Sequence, residues 1–179
     1  MIKLRNVNMS NQTKVLAIPR EKIFAIAQFV ALLGIATAAP LFHNQSITGP
    51  IVNATLFISL ILLGTQSAIL IGLIPSLIAL SVGLLPAVLA PMVPFIMMGN
   101  TILILVFGFF RKKNYWLGVV LASALKFLFL FATSSIVIDL LLKKEVAQKV
   151  AAMMSLPQFL TALAGGVIAY LILKSIKKV

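Results

Sequence analysis

Long apolar runs separated by short polar or proline-rich breaks make up most of this chain. Between Ile23 and Phe110 there is no Asp, Glu, Lys or Arg, and a membrane-crossing helix needs only about 20 apolar residues. The breaks divide that block into spans. The run 23–42 is the first, followed by a polar outer loop, His43-Asn44-Gln45-Ser46-Ile47-Thr48-Gly49-Pro50. A short second span covers 51–63, and Gly64-Thr65-Gln66-Ser67 forms an inner turn. A third span, 68–84, holds Pro75 and Gly83, which predicts a kink near 72–75. Pro86, Pro91 and Pro94 then break the apolar sequence. Proline removes a backbone donor, and unpaired backbone cannot face lipid, so this stretch should be buried in protein or line a cavity.

The fourth span, 92–110, ends at Arg111-Lys112-Lys113, with Tyr115 and Trp116 beside it as an interfacial anchor. The fifth, 115–142, is longer than a bilayer requires, which implies tilt or protrusion. In 143–156, Val146, Val150, Met153 and Met154 fall at helical spacing, and Glu145 and Lys149 form an i, i+4 pair. This predicts an amphipathic helix across the outer mouth. A sixth span, 157–173, opens on Pro157 and ends before Lys174, Lys177 and Lys178. The fold class is therefore an all-α membrane protein, a bundle of six transmembrane helices. A basic segment, 1–22, precedes one transmembrane domain, 23–179.

Composition and charge agree with this reading. Hydrophobic residues make up 61% of the chain, charged ones 10%, and the mean hydropathy is +1.15, far from soluble domains. The net charge of +12 sits in short clusters between apolar runs, where topology accounts for it better than nucleic acid does. Basic residues before span one, after span four and after span six place both termini in the cytoplasm. Lys143, Lys144 and Lys149 depart from that rule and suggest an outer vestibule that attracts anions. A cleaved leader ending at Ala36-Thr37-Ala38 is the rival reading of the first span. No Cys is present, so disulfides and thiolate chemistry are excluded.

Few residues are left to carry chemistry. Lys126 lies eleven residues into span five, about 16 Å along the helix and near the midplane. A charge there costs roughly 2.5–3.5 kcal/mol on insertion scales, so it should face a cavity or a partner. Asp139 is about 20 Å further on, with Lys143 as its ordinary surface partner and a binding role as the alternative. Asn100, following Gly99, either contacts a ligand or ties two helices together. His43, Asn53 and Gln158 are further polar candidates on the outer half. With one His, no Cys and three acidic residues, neither a metal cluster nor a catalytic carboxylate pair is expected. No phosphate-binding loop motif occurs. An enzyme is not expected, nor a cofactor bound by this chain.

Small residues Ala27, Ala31, Gly34 and Ala38 share one face of span one. They serve either the packing of the bundle itself or a docking surface. Together with size and topology, Ala27-Gln28-Phe29-Val30-Ala31 and Pro94-Phe95-Ile96-Met97-Met98-Gly99-Asn100 make the chain resemble the substrate-binding S components of energy-coupling factor (ECF) transporters. The resemblance covers about 23–178. It implies that Ala27, Ala31 and Gly34 dock a membrane-embedded T component, that partner ATPases supply ATP-derived energy, and that a vitamin-like solute binds in the outer half. It also implies a bacterial plasma membrane. Lys126 and the basic 143–156 segment favour an anionic group on that solute. No vitamin-specific signature is recognised, and the lack of an N-terminal Met-His motif argues against nickel or cobalt. The alternative function is a non-transporting scaffold or assembly subunit.

Overall fold

The computed structural model describes residues 19–84, 87–141 and 150–179, with side chains masked at 87–88 and 138–141. The fully described α-helices are, in chain order, α1 (Arg20–Ala38), α2 (Gln45–Leu63), α3 (Thr65–Ser81), α4 (Val93–Phe110), α5 (Tyr115–Leu141) and α6 (Leu156–Ser175). Short 3-10 turns cover Ala39–Phe42 and Ala87–Met92. There is no strand among the described residues. Five of the helical segments are long and apolar enough to cross a membrane; α3 is apolar but has 17 residues, about 26 Å of helix. Large apolar side chains, among them Phe24, Val30, Leu77, Leu105, Phe109 and Leu171, are exposed on the outside. Such a belt suits lipid rather than water. The molecule has the make-up of a multi-pass helical membrane protein.

Helix α2 occupies the centre. Every residue from Asn53 to Leu60 is buried, so this helix has neighbours on all sides. Glycines bring α6 against it. A Cβ on Gly165 would stand 2.8 Å from the Ala54 backbone nitrogen and 3.0 Å from the Pro50 carbonyl oxygen, and one on Gly49 would stand 2.7 Å from Thr161 Cβ. These paired contacts also show that α2 and α6 run in the same direction, since 49 meets 161 and 54 meets 165. Helix α1 is the most peripheral, with Ala36 as its only fully buried residue.

Several boundaries differ from the sequence expectation, each for a local reason. The polar segment 45–50 is not a loop but the opening of α2. Asn44 caps it by accepting a hydrogen bond from the Ser46 N–H at 2.9 Å, and Pro50 lies inside the helix. The polar side chains there are fastened to other elements: Gln45 Nε2 donates to the Met153 carbonyl at 2.7 Å and Thr48 Oγ1 to that of Ala39 at 2.9 Å. The inner turn 64–67 shrinks to Gly64, whose φ of +83° is a conformation glycine adopts without penalty. Helix α3 continues through Pro75. Helix α1 starts at Arg20, so it takes in the end of the basic 1–22 segment. The expected amphipathic helix at 143–156 is described only from 150, where residues 150–154 are helical and Val150 and Met154 are buried.

Successive helices alternate in direction. One end of the bundle carries 39–44, 82–92 and 150–155. The other carries Gly64, 111–114 and the C-terminal tail. Among the described residues, every Lys and Arg except Lys126 lies at this second end. Aromatic rings pack inside it: Phe57 and Phe107 at 4.6 Å, Phe107 and Tyr115 at 5.3 Å, and Trp116 and Tyr170 at 4.9 Å between centroids. Tyr115 also donates to the Gly166 carbonyl at 2.9 Å, tying α5 to α6.

Candidate functional site

The first end of the bundle holds a cavity of about 310 Å³, within the size range of small-molecule sites. All six helices contribute to its walls, α6 through Gln158, with Ala36, Val52, Ile71, Ala79 and Ile96 among the lining residues and Met153 and Met154 added from the helical residues 150–154. Most of the wall is aliphatic. The polar groups gather at the floor and the mouth.

The floor is a knot of three side chains from three helices. Lys126, 3% exposed, donates from Nζ to Asn53 Oδ1 at 2.6 Å and to Asn100 Oδ1 at 2.8 Å. Asn100 Nδ2 in turn donates to the Gly72 carbonyl at 2.8 Å. That last bond fixes which way the Asn100 amide faces, because only its nitrogen can donate. Gly72 makes the contact reachable: a Cβ there would sit 3.3 Å from both Asn100 Cβ and Ile104 Cδ1. The knot joins α2, α3, α4 and α5 around one cationic side chain.

No carboxylate pairs with Lys126 among the described residues. Glu21 lies in the first turn of α1, and Asp139 is thirteen residues further along α5, about 20 Å away by helical rise. The Asp139 side chain lies outside the described residues, as do Lys143, Lys144 and Lys149, so the anion-attracting vestibule expected there does too. Burying a cation is expensive unless hydrogen bonds or a counter-charge compensate. Here two amide oxygens serve, and an ammonium has three N–H donors. The third has no acceptor among the described residues.

At the mouth, His43 is exposed with φ +50° as it ends the first 3-10 turn. Gln158 Nε2 donates to the Met153 carbonyl at 3.2 Å, the same oxygen that Gln45 Nε2 reaches from α2. Five of the expected binding residues, His43, Asn53, Asn100, Lys126 and Gln158, therefore line one cavity. Asn53 is 2% exposed. The sequence did not single out Gly72 or Ser76 as lining residues, whereas Met153 and Met154 belong to the segment expected across the outer mouth. A usable signal existed for Gly72 and Ser76, which are small residues four apart on one face of α3. Ser123, one turn before Lys126, is buried with no hydrogen-bond partner.

The docking candidates lie elsewhere. Ala27, Ala31 and Gly34 are exposed on α1, and a Cβ on Gly34 would meet nothing within 4 Å. These three positions are therefore open on the outer face of α1 among the described residues. Comparison with family models, with curated proteins and with solved structures finds no match to this chain.

Proposed function

We propose that this protein is a solute-binding membrane subunit, similar to the S components of ECF transporters, that captures a small organic molecule and passes it to an ATP-driven module. The observation that carries this reading is the cavity of about 310 Å³ with Lys126 held on its floor by Asn53 and Asn100. A charge near the middle of a span is costly, and a purely packed bundle has no use for a void beside it. The clustering of the described Lys and Arg residues at the opposite end supports six spans, with that end cytoplasmic and the cavity opening outward. The exposed small face of α1 suits close approach by another transmembrane helix.

Native mass spectrometry of the purified protein tests the reading. A stoichiometric small molecule retained by the wild type is the expected result, and a bundle that stays empty when challenged with extracts of its host would overturn it. Docking is tested separately. Ala27→Leu with Ala31→Leu should leave stability within about 0.5 kcal/mol, because both positions are exposed, and leave solute binding intact. Co-purification of membrane and ATPase partners should fall sharply, and unchanged co-purification would remove α1 from the interface.

A further inference from the structure

We infer that the cavity takes a monocarboxylate with an apolar body, bound with its carboxylate down on Lys126 and Asn53; this deepens the reading of the cavity as a solute site and rests on it. The inference comes from which donors and acceptors are already used. Asn53 Oδ1 and Asn100 Oδ1 both accept from Lys126, and Asn100 Nδ2 is spent on the Gly72 carbonyl. What remains on the floor is the third Lys126 N–H and the two N–H groups of Asn53 Nδ2, none of which has an acceptor among the described residues. Both side chains line the cavity and both are at least nine-tenths buried. The floor therefore offers three unpaired N–H donors, while each of its amide oxygens already accepts from the Lys126 ammonium.

An ionised carboxylate is the complementary group, since it accepts only and carries two oxygens to meet two donor atoms. It also supplies the counter-charge that Lys126 lacks, and a charge-assisted pair in a dry site is stronger than a neutral hydrogen bond. An alcohol or neutral amide would supply no counter-charge to Lys126 and only a neutral hydrogen bond. An amine would place a second cation beside the first. A phosphate monoester would bring nearly two negative charges against one positive charge. Above the floor the walls are Ala36, Val52, Ile71, Ala79, Leu89 and Ile96, which favour a hydrocarbon body. Gln45 at the rim and Asn53 at the floor are eight residues apart on α2, a depth of about 12 Å. That depth suits a body of medium length.

Octanoate, octanol, octylamine and the dicarboxylate suberate are matched probes for the protein in lipid nanodiscs, read by native mass spectrometry and by the shift in unfolding temperature. Octanoate should bind one per chain and raise the unfolding temperature, and the other three should bind roughly tenfold or more weakly, about the value of one hydrogen bond to a charged group. Lys126→Met should abolish the preference for octanoate. Asn53→Asp keeps an acceptor for Lys126 while removing the donors and repelling an anion, so it should do the same in a bundle that remains folded. Equal binding of octanol and octanoate, or octanoate binding unaffected by Asn53→Asp, would overturn the inference. If the wild type retains a different class of solute and ignores octanoate, this inference fails while the proposed function stands. If it retains nothing, both fail.

Discussion

Asn100→Leu is expected to destabilise the bundle by about 2–3 kcal/mol, the range for removing a hydrogen bond to a charged group and leaving its partner buried. An ordinary interhelical hydrogen bond in a membrane protein contributes only about 0.6 kcal/mol. Asn100 differs because it serves two groups at once, accepting from Lys126 Nζ and donating to the Gly72 carbonyl. Losing it leaves a buried cation with a single protein acceptor, Asn53 Oδ1. The companion variant separates this account from simple loss of packing. Lys126→Met removes the cation, so the double variant Asn100→Leu with Lys126→Met should be no more than about 1 kcal/mol less stable than Lys126→Met alone, because apolar replacement of both partners is close to neutral. Reversible unfolding in mixed micelles measures the cycle. Strict additivity of the two single effects would mean that the pair is not coupled and that Asn100 acts only on Gly72.

Gly165→Val carries the other large effect, a loss of more than about 3 kcal/mol, beyond the usual cost of overpacking. The side chain would meet backbone. Its first carbon alone would stand 2.8 Å from Ala54 N, 3.0 Å from Pro50 O and 2.7 Å from Asn53 Cβ, and none of these is the end of a flexible side chain. Helices α2 and α6 would have to separate, at the point where α2 is buried on every side. Gly34→Val is the control: nothing lies within 4 Å of a Cβ there, so only the helix propensity of the residue changes, by well under 1 kcal/mol. Unfolding temperature and monodispersity on gel filtration distinguish the two. Similar stability for both variants would show that the α2–α6 contact tolerates displacement. Because the added Cβ would press on Asn53 Cβ at 2.7 Å, Gly165→Ala should shift Asn53 away from Lys126 and, on the proposed function, weaken solute binding even in the fraction that remains folded.

The helices were legible because hydrophobicity and charge are governed by the bilayer. Lys126 was legible for the same reason, since an intramembrane cation is costly enough to demand an explanation. Asn100 was legible from its place after Gly99 in an apolar run, and the structure shows the helix-tying reading, since it joins α3 to α4 and α5 while lining the cavity. The start of α2 was not legible. Polar residues with two breakers, Gly49 and Pro50, look like a loop, and the partners that keep them helical, the carbonyls of Ala39 and Met153, come from other parts of the chain. The floor of the cavity was hidden for a similar reason. That Asn53, Asn100 and Lys126 meet depends on how far each helix is rotated, which the glycines at 72 and 165 decide through close approach rather than through hydrophobic pattern.

The aromatic packing at the basic end gives the cavity a stopper. Beneath Lys126, Phe57 and Phe107 are both 0% exposed and Leu103, Val119 and Ala122 at most 1%, with Tyr115 latched to Gly166 below them. A molecule entering at the rim reaches a blind end. Liposomes carrying this protein alone should therefore hold an ion gradient as tightly as bare ones, because the packed layer beneath Lys126 closes the cavity on that side.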